Sequence, residues 1–217
     1  MSAGKSFWEM DELRIVTGAM VILSGATALL VVMPYMLLKK VAPPAALKPY
    51  TSEQLAGRQS YIANGCVYCH SQQPRDIRQA PDATRGWGRA SVAGDYAYDT
   101  PHLLGTMRTG PDLLNIGARQ PSKDWQLGHL YQPRAYTPGS IMPPYPFLFE
   151  VRDGAANAGE TVVNLPPSFA RPGQVVVAKP EALALVAYLL SLNRTYPALA
   201  PLPGPVASAP AAAKDKP

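Results

Sequence analysis

The chain has 217 residues, 24 of them proline, with charged residues at only 16 % and a net charge of +5. That length suits one domain with additions, and the proline content points to long irregular loops. The charge is mild, and no basic stripe or nucleic-acid motif accompanies it, so nucleic acid is excluded as a partner.

In chain order, residues 1–14 are short and mixed in charge, with Lys5, Glu9, Asp11, Glu12 and Arg14. From Ile15 to Leu38 no residue carries a charge, a run of 24 residues. As a helix it spans roughly 36 Å at about 1.5 Å per residue, enough to cross a bilayer with some tilt. A cleavable signal would have a shorter apolar stretch and a basic start, so the run reads as a retained anchor with Pro34 tolerated near its far end. Lys5 and Arg14 flank one side of it, and Lys39, Lys40 and Lys48 the other. That excess of one charge weakly favours a cytoplasmic location for the C-terminal side of the run.

Residues 39–50 form a proline- and alanine-rich linker. Helix signals begin at Thr51 or Ser52, with Glu53 in the first turn, and predict a helix to about Asn64 with Leu55, Tyr61 and Ile62 on one face. Gly65 ends it. The only two cysteines come next, in Cys66-Val67-Tyr68-Cys69-His70. One CxxC cannot make a four-cysteine zinc site, and the next residue completes the signature for covalent attachment of a c-type haem. Attachment to CxxCH takes place on the outer, periplasmic side of bacterial membranes. This outweighs the one-charge bias and puts the domain outside.

Pro180 and Glu181 open a strongly apolar helix through Leu190, too short to span a membrane, with Ala184 and Ala187 leaving room for a close neighbour. After Tyr196 nothing buries much apolar surface, and residues 198–217 read as a flexible tail.

A helix leading into CxxCH and an apolar closing helix resemble the small cytochromes c, in which the two cross. The resemblance implies an all-α, class I cytochrome c-like domain over residues 51–197 with long loop insertions. Met142, in Ser140-Ile141-Met142-Pro143-Pro144, stands where that family has its axial thioether, opposite the His70 ligand; Met107 reads as packing. His102 and His129 are the less favoured alternatives. Thr109-Gly110-Pro111-Asp112-Leu113 resembles the GPxL element, whose proline carbonyl accepts the axial histidine's Nδ1 hydrogen, a role that falls to Pro111. Arg108, Trp125 and Arg58 are candidates to bond the haem propionates.

In small cytochromes c the gap between these two elements is short, whereas here His70 and Gly110 lie forty positions apart. That insert, with Arg108-Thr109-Gly110-Pro111-Asp112-Leu113, His129-Leu130, Gln132-Pro133-Arg134 and Ser140 to Leu148, resembles the monohaem subunit (subunit II, the FixO/CcoO family) of cbb3-type cytochrome c oxidases. The likeness covers about residues 10–149, and residues 150–179 look like a further insertion. It implies a single-pass protein of the bacterial inner membrane carrying one covalent haem c. Such a chain is not an enzyme on its own. It takes electrons from a soluble or membrane donor and passes them to a haem–copper catalytic subunit beside other membrane cytochrome subunits. The alternatives are a tethered shuttle without a catalytic partner and the cytochrome subunit of a nitric oxide reductase.

Overall fold

The structure is a computed structural model and describes residues 12–105 and 107–197. The N-terminus before residue 12 and the expected tail at 198–217 lie outside the described residues. The described residues divide into two compact units, 12–43 with Ala93–Ala97, and Pro44–Val92 with 98–197.

Among the described residues of the first unit, one helix, α1 (Glu12–Leu38), is long and apolar enough to cross a membrane. It includes the whole uncharged run, residues 15–38. Residues Ala28–Val32 form a π turn just ahead of Pro34. Proline has no N–H for the helical ladder, and widening the preceding turn is one way a helix accommodates that gap.

The second unit opens with α2 (Ser52–Ala63), fixed at its start by a reciprocal cap. The Gln54 amide donates to Thr51 Oγ1 (3.2 Å), and the Thr51 amide donates to Gln54 Oε1 (2.9 Å). Its buried face is Gly57, Arg58, Ser60 and Tyr61, while Leu55, expected on that face, is 51 % exposed. Two short helices and a longer one come after it: α3 (Ile116–Arg119), α4 (Lys123–Tyr131) and α5 (Pro133–Tyr136). Serine at position 122 caps α4 by accepting from the Trp125 amide.

The chain is helix-dominated but not all-α. Strands β1 (Phe149–Asp153) and β2 (Gln174–Ala178) pair antiparallel, with Val151 opposite Val176, inside the segment expected to be an insertion. Val163 donates to Val176 O and Ala178 to Thr161 O, so residues 161–163 cover the other edge of β2. The β-branched run Val175-Val176-Val177 suits a half-buried pleated surface. Helix α6 (Pro180–Ser191) closes the unit with Ala182, Leu185, Val186, Tyr188 and Leu189 buried.

Helices α2 and α6 cross at Gly57. A Cβ built there would lie 1.8 Å from the Ala184 carbonyl oxygen, so the backbones touch. Glycine is the residue that permits such an approach. Next to the crossing, the Tyr61 and Tyr188 rings meet edge to face at 5.7 Å. Gly117 of α3 approaches the Leu190 carbonyl in the same way. The core around this crossing holds the start of the CxxCH turn against one end of a cavity.

Candidate functional site

Gly65 adopts φ 71°, ends the α2 segment and turns the chain into a single 3-10 turn over Cys66–Tyr68. Within it the Cys69 and His70 amides both donate to the Cys66 carbonyl. The two cysteines are not joined in a disulfide, Cys66 being half-buried and Cys69 exposed. Burial pushes the Cys66 thiol up to about 11, partly opposed by hydrogen bonding, including one to Tyr145.

The His70 ring lies against Gly110 and Pro111. Its Nδ1 is 2.8 Å from the Pro111 carbonyl oxygen. A carbonyl only accepts, so Nδ1 carries the hydrogen and Nε2 presents its lone pair. Burial holds the ring's pKa below the ordinary histidine value, with the Pro111 bond acting the other way, which favours the neutral imidazole that metals bind. The backbone beneath is pinned, the Gly110 amide donating to Cys69 O and the Leu113 amide to Ser71 O, each at 2.8 Å.

Cys66, Cys69, His70, Pro111, Trp125 and Met142 all line one cavity of about 500 Å³. Met142 is half-buried and packed on the core; its amide donates to Ser140 Oγ (3.2 Å), and two prolines succeed it. Met107 is 60 % exposed and, like His102, is not among the residues lining the cavity. His129 does line it, stacked on Trp125 with ring centroids 4.5 Å apart. Burial, with the neighbouring His70 adding, holds His129 down to about 4.

Of the three side chains expected at haem propionates, only Trp125 reaches the cavity. Arg58 turns to Asp99 (Nε to Oδ1, 3.3 Å) and to the carbonyls of Thr100 and Pro101. Arg108 turns to Asp82 and the Gln73 carbonyl. Buried acids claim both, because an arginine beside an uncompensated buried carboxylate is held there.

Arg119 is the cavity residue that sequence reasoning missed. It stands three positions after Ile116 on α3, and both line the cavity. A basic residue one turn from an apolar contact, just past GPxL, was the available signal. Its Nη2 donates to the Asp112 carbonyl. Arg119 Nε and His129 Nδ1 are buried without a hydrogen-bond partner among the described residues.

These features fit a haem. Two thiols stand at attachment spacing, a neutral imidazole and a thioether line the same space, and unpartnered polar groups suit carboxylate substituents. Among the described residues no three His, Cys, Asp or Glu converge on a metal position, so a bare ion has no donor set here. A macrocycle brings its own four.

Residues 5–166 match the family model described as cytochrome C oxidase, mono-heme subunit/FixO. The match includes the long insert between His70 and Gly110 and runs into the strand-bearing segment that looks like an addition in the sequence. No curated protein matches the chain.

Proposed function

The chain belongs to the FixO family, the mono-haem subunits of cytochrome c oxidases, and from that membership we propose that it relays electrons to the haem–copper catalytic subunit of a cbb3-type oxidase. Residues 15–38 anchor it in the bacterial inner membrane, and residues 51–197 form a class I cytochrome c-like domain on the periplasmic side. A haem c held there supplies one-electron exchange at its iron.

The protein's own groups divide the work of holding it. Cys66 and Cys69 would form the two thioether links, and His70 and Met142 would supply the protein ligands to the iron. Held by both side chains, the iron would have no open site for oxygen, and the chain would carry electrons rather than reduce oxygen itself. Pro111 fixes the His70 ring and raises its basicity as a ligand. Trp125 and Arg119, which both line the cavity, would bond the propionates, with Arg119 Nε supplying a donor that has no other partner among the described residues. A neutral thioether favours ferrous iron, so the His/Met pair keeps the potential high enough to accept electrons readily.

The observation that carries this reading is one shared cavity. Cys66, Cys69 and His70 from one turn and Met142 from a distant loop line it together, with the His70 Nδ1 already bonded to Pro111. The test is purification from native membranes in mild detergent, with a haem-stained denaturing gel and difference spectra. A haem band at the mass of this chain, co-eluting with a haem–copper subunit and oxygen uptake, is expected. A chain without covalent haem refutes the site reading. A haem-bearing chain that elutes alone refutes the oxidase role and favours a tethered shuttle.

A further inference from the structure

The thirty-nine residues between His70 and Gly110 do not hang free of the histidine. Gln72 donates to the Leu104 carbonyl (2.9 Å). Gly105, at φ 74°, packs so closely on the motif that a Cβ there would lie 2.7 Å from both His70 O and Ser71 Cα. The excursion therefore returns to touch the residue it left.

Two fully buried carboxylates organise that return. Asp112, directly after Pro111, accepts on Oδ2 from Ser71 Oγ (2.6 Å) and the Gln73 amide (2.7 Å), and on Oδ1 from the Leu114 amide (2.9 Å). It clamps the strand leaving His70 to the segment whose carbonyl holds the His70 ring. Asp82, within the insert, accepts the Arg75 amide on Oδ2 (2.7 Å), and its carbonyl accepts from Trp87 (2.9 Å).

Arg108 joins the two. Its Nη1 donates to Asp82 Oδ1 (2.7 Å), and its Nη2 donates to the Gln73 carbonyl (2.7 Å) and lies 3.7 Å from Asp112 Oδ2. The guanidinium carbon also stands 5.4 Å from the centre of the Trp87 ring, which Arg85 approaches at 5.0 Å. A planar fork makes these contacts at once; a lysine ammonium is a point donor and cannot.

We propose that Arg108 is a positioning residue for His70, coupling the insert through Asp112 to the His70–Pro111 hydrogen bond and so setting the basicity of the iron-binding imidazole. This rests on the proposed role of His70 as a ligand to haem iron. A hydrogen bond at Nδ1 makes the ligand more electron-donating, which stabilises ferric iron. Loosening the clamp weakens that bond and raises the reduction potential. The insert thereby acts on the redox centre without touching the cavity.

The experiment uses the full chain in detergent, comparing wild type with Arg108→Met, Arg108→Lys and, as a control in the same insert, Arg78→Met, whose guanidinium pairs with Asp76 in an exposed bridge. Covalent haem is checked first on a denaturing gel. The readouts are the midpoint potential, the nitrogen NMR signal of His70 Nδ1–H, and amide exchange at Gln73. For Arg108→Met we expect haem attached as in wild type, a raised potential, a displaced Nδ1 signal and Gln73 exchange faster by about tenfold or more. Arg108→Lys should fall between, and Arg78→Met should match wild type. A haem-loaded Arg108→Met whose potential and Nδ1 signal match wild type, with only its unfolding midpoint lowered, makes Arg108 mere structural support and overturns the proposal. If Arg108→Met does not fold, Arg108→Lys carries the same comparison, and an unchanged potential there overturns it equally. Wild-type chain without covalent haem overturns the site reading itself, and this outcome is seen before any variant is compared.

Discussion

Replacing Gly110 by alanine tests the geometry around His70 most directly. A Cβ at this position would lie 2.3 Å from His70 Cε1, 2.7 Å from Nδ1 and 2.9 Å from Nε2. Carbon atoms in good contact sit about 3.5–4.0 Å apart, so the ring or the backbone must retreat by roughly 1 Å. Moving the ring breaks its 2.8 Å bond to Pro111, and moving the backbone breaks the 2.8 Å bond from the Gly110 amide to Cys69 O. Overpacking of this kind costs about 1–3 kcal/mol and the lost hydrogen bond about 0.5–1.5 kcal/mol. Gly110 is not among the residues with positive φ, so alanine meets no backbone strain and recovers about 0.5 kcal/mol from the unfolded chain. The net expectation is a loss of about 1–4 kcal/mol, a large part of a typical domain's stability. Denaturant unfolding at constant m-value measures it, with haem attachment scored on a denaturing gel. A Gly110→Ala protein as stable as wild type, with an unchanged haem spectrum, would show that the ring does not sit against this glycine.

Gly57→Ala should destabilise the domain by about 3 kcal/mol or more, because the clashing atoms at 1.8 and 2.4 Å belong to the Ala184 backbone and cannot rotate away; an unshifted unfolding midpoint would refute the close crossing of α2 and α6. Met142→His should keep the haem attached and lower its potential, since imidazole stabilises ferric iron better than a thioether does; spectroelectrochemistry giving the wild-type potential would remove Met142 as the ligand. Burial, with Asp99 adding, pushes the Tyr50 hydroxyl up from 10 to about 12. An acid whose pKa is raised by folding stabilises while protonated, so its contribution is complete below about pH 10 and lost between pH 10 and 12. Across that window the stability of wild type should fall more steeply than that of Tyr50→Phe, by about 3 kcal/mol, and parallel curves from denaturant titrations would contradict the burial of this hydroxyl.

Local chemistry was legible from the residues alone. The CxxCH spacing, the uncharged run ahead of it, the Thr51 cap and the apolar helix opened by Pro180 each depend on a few neighbouring residues, and each corresponds to an element at nearly the expected place. The strands were not legible in the same way. A short apolar run such as Val175 to Ala178 reads equally as buried helix or strand, and only pairing with Phe149–Asp153 decides it.

Long charged side chains were the other limit. Arg58 and Arg108 stand close in sequence to the haem motif and to GPxL, which made both candidates for the cavity. Their reach spans several directions, and the choice among them was made by Asp99, Asp82 and Asp112, carboxylates that only folding buries beside them. Arg119 went the opposite way, because the short α3 helix sets it on the face shared with Ile116. The sequence by itself determined which groups could bind a haem, since spacing within a turn fixes how two thiols and an imidazole lie. Only the tertiary structure decided how Met142 and Arg119 join them and how the insert is tied back to His70. Those contacts join residues tens of positions apart, and their geometry depends on the packing of everything between.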